Sequence, residues 1–395
     1  MRILHTGDWH FGRTLEGRSR LEEQSAFVDE LVGIVQDQEI DLVLIAGDVY
    51  DSVNPPAAAE QLFYDSMARL ADGGKRHVAI IAGNHDHPDR VAAAAPLAGK
   101  QNITLIGLPV PEIQSIGIAR TGELARLIAL PYPSESRLKE LLSDVAEEEA
   151  LRSKYSERVG ALIRKQAARF EAGTVNLIMS HLYVLGGLET ESERPIQVGG
   201  AYTVDTTALT AGAQYVALGH LHRPQNVKAA SPIRYCGSPI AYSFSEAGQA
   251  KSVTVLDLQP GQAAEPKEIF LASGRPLVSW KAREGIGQVH QWLDEKRDAS
   301  AWIDLEINMT EAMSIEQIQS LRKAYDGFIH IRPIYPEMEA VRAAAPKVDL
   351  SMEEHFTRFY SRQTGGAQPE PELIRLFLEL LEEKEQLGGP EYASN

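Results

Sequence analysis

The chain has 395 residues, of which 44% are hydrophobic, and a formal net charge of −16 at pH 7. That length allows two or more domains around a sizeable core, no apolar stretch approaches the roughly 20 residues of a membrane span, and residues 1–10 hold no secretory signal core. A single cysteine, Cys236, excludes an intramolecular disulfide framework and fits a cytoplasmic setting.

In chain order, residues 1 to about 260 alternate strand-like runs with helical periodicity. Five runs share one arrangement: an apolar stretch ends at a small residue and a metal-type ligand follows at once. They are RILHTG before Asp8, DLVLIAG before Asp48, HVAIIAG before Asn84, VNLIMS before His181 and YVALG before His220. Two of them add a histidine two residues after the first ligand, His10 and His222. Such runs read as buried strands, and Gly or Ser at the end permits a sharp turn. Helices are predicted over Leu21 to Gln38 and, after Pro55 and Pro56, over Ala57 to Ala71. Residues about 134–172 form a charged insertion whose Leu138, Leu141, Leu142 and Val145 read as a surface helix. IRYCGSP and SVTVLDL look like strands completing a sheet.

A second unit follows over roughly 275–345: RPLVSWKA, AWIDLEINM and GFIHIRPIYP as strands, IGQVHQWLDEKR and SIEQIQSLRKAY as helices. The tail, 350–395, carries two amphipathic segments, Met352, Phe356, Phe359 and Tyr360 on one face, and Leu373, Leu376, Phe377, Leu380 and Leu381 on another. A Gly- and Pro-containing link, GGAQPEP, separates them, and a helix pair of this kind suits docking to another protein, although packing on its own domain would explain it too.

Strands of one sheet that end together gather their next residues on one edge, where α/β proteins bind ligands. The gathered set, Asp8, His10, Asp48, Asn84, His181, His220 and His222, is oxygen and imidazole without thiolate. It suits Mn, Fe or Zn and is too large for one ion. It fills two sites if one carboxylate bridges, and paired metals roughly 3.5–4 Å apart clamp the oxygens of a phosphoryl centre. The residues therefore point to phosphoester hydrolysis. An isolated histidine on an apolar run is usually a hydrogen-bonded core residue, and His5 and His330 are read so.

Asp8-x-His10, Gly47-Asp48-x-x-Asp51, Gly83-Asn84-His85-Asp86, His181 and Gly219-His220-x-His222 resemble, in order, the five motifs of calcineurin-like metallophosphoesterases. GDWHFGRTLEGRSR, SERPIQVGGAYTVD, GHLHRPQ and YCGSPIAYSFSE are similar to segments of the bacterial SbcD family of nuclease subunits, over nearly the whole chain. The resemblance implies an α/β fold, a metallophosphoesterase two-sheet αββα sandwich over 1–270, with a small α/β capping domain over 275–345 that helps admit DNA and a C-terminal helical segment over 350–395 that docks an SbcC-type coiled-coil ATPase. It also implies a homodimer formed near the helix 57–71, whose Leu62, Phe63 and Met67 core packing would explain almost as well.

Carried across residue by residue, the resemblance places one divalent ion on Asp8, His10, Asp48 and His222 and the second on Asp48, Asn84, His181 and His220, with Mn favoured over Mg, Fe or Zn. Asp48 bridges because a carboxylate has two oxygens. His85 faces the phosphate and helps protonate the leaving oxygen, Asp86 orients its ring, and Asp51 holds a neighbouring group or water. Arg13, Arg18 and Arg20, just after the first motif, could steer phosphates. The acidic net charge opposes tight binding of DNA by this chain alone, so a partner is expected to supply much of it. The implied function is a metal-dependent DNA exonuclease and endonuclease acting at ends and hairpins with an SbcC-type ATPase. The alternatives are a small-molecule phosphodiesterase or phosphatase, and a catalytically silent scaffold that tethers DNA ends.

Overall fold

The computed structural model describes residues 1–134, 149–194 and 202–335, with isolated positions between 356 and 375. Leu138, Leu141, Leu142 and Val145 lie outside the described residues, as do Met352, Phe359, Leu376, Phe377, Leu380 and Leu381 and most of SERPIQVGG. The chain divides into two compact units, residues 1–307 with 313–332, and residues 308–312 with 333–395.

The first unit is built on two six-stranded sheets. In one, Arg2–Thr6, Leu42–Ala46, His77–Ile81 and Ile103–Ile106 run parallel, and Ser252–Asp257 and Lys267–Phe270 extend the edge antiparallel. In the other, Leu124–Leu130, Val175–His181, Tyr215–Gly219 and Ile233–Tyr235 run parallel between the antiparallel strands Gln114–Gly117 and Gln225–Val227. IRYCGSP and SVTVLDL thus finish two different sheets, because each run pairs with its own layer.

Alternation within the apolar runs explains the layering. Leu42, Leu44 and Ala46 face inward against Leu127, Leu177, Met179 and Ala217 of the opposite sheet. Val43 and Ile45 face outward, under Phe27, Leu31, Phe63 and Leu70 from the helices Leu21–Asp37 and Ala57–Ala71. Ile178, Val216 and Leu218 do the same under Val159 and Ile163 of the helix Glu149–Ala167. Strands buried on both faces need continuous hydrophobic runs, and the result is the expected αββα sandwich. Phe63 and Met67 belong to this core.

Residues 277–334 form a three-stranded sheet, Leu277–Ala282, Trp302–Asn308 and Phe328–Ile334, with the helices Ile286–Asp294 and Ile315–Ala324 between them. Ser314 and Gln317 close a reciprocal capping box that starts the second helix. His330 is a correction: its side chain is 37% exposed, since it sits on the polar face of this sheet beside Asp304. No described helix is long and apolar enough to cross a membrane.

Candidate metal centre

The five ligand-bearing strands end on one edge because they run parallel within their sheets. Gly219 pairs with His181 and Ala46 with Ile81 in register, so the residues that follow emerge side by side. The first two ligand loops are also zipped together. The amide of Asp8 donates to Gly47 O at 3.0 Å and that of His10 to Asp48 O at 2.9 Å.

The turns fall on the ligands themselves. Asp8, His10 and Asp48 have φ of 52°, 47° and 47°, and His220 has φ 106°. Non-glycine residues adopt such conformations at a cost, and they concentrate where function demands a direction of aim. The glycines serve mainly to admit neighbours. A Cβ on Gly83 would overlap the Asp48 carboxylate, and one on Gly219 would overlap Ala46 O.

Asp48 is the hub. Its Oδ2 lies 3.6 Å from His10 Nε2 and 3.4 Å from His181 Nε2, while Oδ1 accepts the His85 amide at 2.9 Å. His181 Nε2 also meets Asn84 Oδ1 at 2.9 Å, and its Nδ1 meets Ala46 O at 2.8 Å and stands 3.8 Å from Asp8 Oδ1. Asp8 Oδ1 accepts the His220 amide at 2.8 Å. Ligand atoms of Asp8, Asp48 and His181 all lie within 4.8 Å of one another, as do those of His10, Asp48 and His85. His85 therefore stands nearer the cluster than a residue kept apart from it would.

Burial and charge polarise the group. Burial drives Asp8 well above the usual carboxylate range, with the charge of Asp48 adding to the rise. Asp48 is pushed up by burial too, but the charge and hydrogen bond of His181 hold it well below. Burial lowers His181, yet Asp48 raises it to about 9. Burial above all brings His10 down to about 3, and burial together with His181 depresses His220.

These residues fit divalent cations. Among the described residues Asp8 Oδ2 and His220 Nε2 are buried without a hydrogen-bond partner, which a native interior rarely tolerates. His181 turns both nitrogens toward acceptors, so without a cation its Nε2 must carry a proton in the place of one. The donors are carboxylate, amide oxygen and imidazole, and Cys236 is a buried thiol whose acidity burial suppresses.

Other expected roles fall differently. Asp86 does not orient His85: its carboxylate accepts the amides of Val49, Tyr50 and Gly83 at 3.1, 2.9 and 2.8 Å, and burial with the Asp48 charge raises it to about 6. Asp51 takes the orienting part, with its backbone O 2.8 Å from His85 Nδ1 and its carboxylate 3.6 Å from His10 Nδ1. Arg13 lies 3.7 Å from Asp51 Oδ1 and 5.1 Å above the Tyr242 ring. Arg18 instead donates to Asp326 O, in the turn before the last strand of the small sheet, and to Phe328 O of that strand. Arg20 is buried, held by Glu23 and Ala241 O. Neither joins the cluster. Trp9 and Phe11 pack in the core, ring centroids 5.1 Å apart.

Sequence reasoning missed the residues behind His222. Ser192 Oγ is 2.7 Å from His222 Nδ1, Glu193 Oε1 accepts the His222 amide at 2.8 Å, and Lys251 Nζ donates to His222 O at 2.9 Å. Lys251 pairs in turn with Glu246, whose carboxyl burial would raise but His222 and Lys251 hold well below its ordinary range. Ser192, Glu193 and Glu246 lie in the SERP and SFSE segments that carry the resemblance, but no local pattern marks them as partners of a histidine.

Residues 1–224 match the calcineurin-like phosphoesterase family, and residues 273–364 match the type 5 capsule protein repressor C-terminal domain. The chain is similar to the SbcD subunit of the SbcCD nuclease of Bacillus subtilis (strain 168), 54% identical over 381 residues that cover 96% of this chain and 97% of that one. It is 35% identical over 297 residues to the same subunit of Rhodobacter capsulatus, covering 72% of each chain. To that of Escherichia coli (strain K12) it is 28% identical over 394 residues, covering 95% and 97%.

Proposed function

The chain belongs to the calcineurin-like phosphoesterases and within them to the SbcD nuclease subunits, and on that premise we propose that it is a divalent-metal-dependent DNA exonuclease and endonuclease acting at ends and hairpins. The observation that carries this reading is a cluster around Asp48 to which five distant segments contribute, His10, His181 and the His85 amide directly, and His220 and His222 through Asp8 and His10. Asp8, His10, Asp48 and His222 would hold one ion and Asp48, Asn84, His181 and His220 the other; mixed oxygen and imidazole donors suit Mn, Fe or Zn, and manganese is the ion proposed, on the family resemblance. Bound there, the ions supply charge neutralisation and an acidified water for attack on phosphorus.

The protein's own groups set the rest. Ala46 O fixes Nδ1 of His181 as its donor nitrogen, leaving Nε2 to the centre. Asp51 O holds His85 Nδ1, so that ring is oriented from behind. His85 retains 8% side-chain exposure where His10 and His181 have none, which supports a part facing substrate, delivering a proton to the leaving oxygen. Arg13 is the cation of the three early arginines placed beside the cluster, suited to a flanking phosphate.

The relatives are named as SbcD subunits of an SbcCD nuclease, which supports work with an SbcC-type ATPase; a cytoplasmic homodimer is part of the same proposal and rests on the family resemblance. A small-molecule phosphodiesterase is the competing reading. The deciding experiment incubates the purified chain and Mn with end-blocked hairpin DNA or with a cyclic nucleotide, with and without a coiled-coil ATPase partner. Hairpin cleavage that EDTA abolishes, Mn restores and the partner stimulates is expected. Turnover of the cyclic nucleotide alone would overturn the DNA assignment.

A further inference from the structure

The imidazole of His222 is held by a hydrogen-bond chain whose proton directions can be assigned atom by atom. Thr190 Oγ1 lies 2.6 Å from Glu193 Oε2, and a carboxylate only accepts, so the Thr190 hydroxyl proton points to Glu193. Thr190 Oγ1 and Ser192 Oγ are 2.7 Å apart. With the threonine proton committed, Ser192 must be the donor between them. Ser192 Oγ then has only lone pairs left for His222 Nδ1, 2.7 Å away. That nitrogen must carry the ring hydrogen, and Nε2 is left bare, 3.0 Å from His10 Nε2. The same turn grips the backbone, since the other Glu193 oxygen accepts the His222 amide at 2.8 Å. Glu246 Oε1 also stands near Nδ1, but at 3.6 Å it is beyond hydrogen-bond reach, whereas Ser192 Oγ is within it.

We propose that Glu193, Thr190 and Ser192 form a tautomer lock that keeps His222 Nε2 a standing electron-pair donor toward the metal centre, with Ser192 as the positioning residue in contact with the ring. The proposal rests on reading the cluster as a divalent-metal centre. Its own content is the direction of one proton, fixed by groups of the chain itself. Partners of this kind fix ring orientation and ligand basicity, and their loss typically weakens metal binding about 10–100-fold. Ser192 carries a second link outward, because its backbone O accepts Arg13 Nη2 at 2.8 Å. The turn thus ties a ligand to the cation placed for a flanking phosphate.

The test uses the full-length chain labelled with ¹⁵N-histidine, in the wild type and in Ser192→Ala, Ser192→Thr and His222→Ala, the last to assign the signal. Metal-free wild type should show His222 as the Nδ1–H tautomer, and Ser192→Ala should lose that preference. Titration with Mn²⁺ should then show about 10–100-fold weaker binding at one site in Ser192→Ala, with Ser192→Thr restored. An Nε2–H tautomer in the wild type, unchanged Mn²⁺ affinity in Ser192→Ala, or equal loss in both Ser192 variants would overturn the lock. A wild-type chain that takes up no Mn²⁺ while keeping the Nδ1–H tautomer would instead remove the metal-centre reading.

Discussion

His10 and His222, 212 residues apart in the chain, meet nitrogen to nitrogen, Nε2 to Nε2 at 3.0 Å. Two neutral imidazoles can share at most one proton across such a gap. Burial keeps His10 down at about 3, so a second proton is not held there. The pair is stable as a hydrogen bond or as two donors to a cation, and Asp8 Oδ2, buried nearby without a partner among the described residues, favours the latter.

His85→Ala should keep its metal content and lose about 10²–10⁴-fold in turnover, the usual weight of a general acid. Mn stoichiometry and kcat on hairpin DNA, measured on the same preparation, decide it. Because His85 also groups with His10 and Asp48, loss of metal would make it a ligand.

Metal uptake should release protons. Asp48 raises His181 to about 9, so near neutral pH the metal-free ring is an imidazolium. An ion taking Nε2 displaces that proton. Apparent affinity should therefore rise by up to about tenfold per pH unit towards pH 9. Calorimetry in buffers of different ionisation enthalpy should find at least one proton released per chain, and zero would contradict the assignment.

His5 should make the fold acid-sensitive. Burial, with Arg234 nearby, lowers it from 6.5 to about 3. Above 6.5 neither folded nor unfolded chain is protonated there, and stability is complete. Below 6.5 the unfolded chain takes up a proton that the native one refuses, so stability falls with pH until about 3. At about pH 5 the loss from this group is about 2 kcal/mol. Urea midpoints at about pH 7.5 and about pH 5 should differ more in wild type than in His5→Gln, which removes the titration.

Gly83→Ala should disrupt the centre without replacing a ligand. The added methyl would overlap Asp48 Oδ1 and its amide, and overpacking of this kind costs about 1–3 kcal/mol. Weaker Mn binding with a lowered melting temperature is expected, and an unaffected variant would mean the Asp48 loop yields freely.

Glu23 should be essential to the join between the sandwich and the small sheet. Its carboxylate accepts Arg20 Nε and Nη2 at 2.5 and 2.7 Å, Trp302 Nε1 at 2.9 Å and the Arg275 amide at 2.7 Å. Glu23→Ala strands the buried Arg20 charge, at a cost of about 3–5 kcal/mol. Chemical unfolding measures it, and a loss under about 1 kcal/mol, as for a surface ion pair, would refute the role.

How much of this was legible from residues alone follows the range of the interaction. Val43 and Ile45 alternate with Leu42, Leu44 and Ala46 in one short run, so a strand buried on both faces could be read locally, and the ligand after its terminal glycine with it. Parallel strands that end together then make a shared edge unavoidable. Arg20 shows where such reading stops. In the chain it is a cation close behind a metal motif; in the fold it is enclosed by Glu23 and Ala241.

Hydrophobic period and turn chemistry, which act between near neighbours, therefore determined the strands and the identity of the donors around Asp48, while the αββα layering was implied by the family resemblance. Only closure of the two sheets and docking of the small one decided which arginine remains beside the cluster, that Asp86 binds backbone amides while Asp51 holds His85, and that Ser192 meets His222. Those outcomes depend on hydrogen bonds a few ångströms long between residues tens to hundreds of positions apart, and no local pattern encodes which partners the closed fold will bring within that reach.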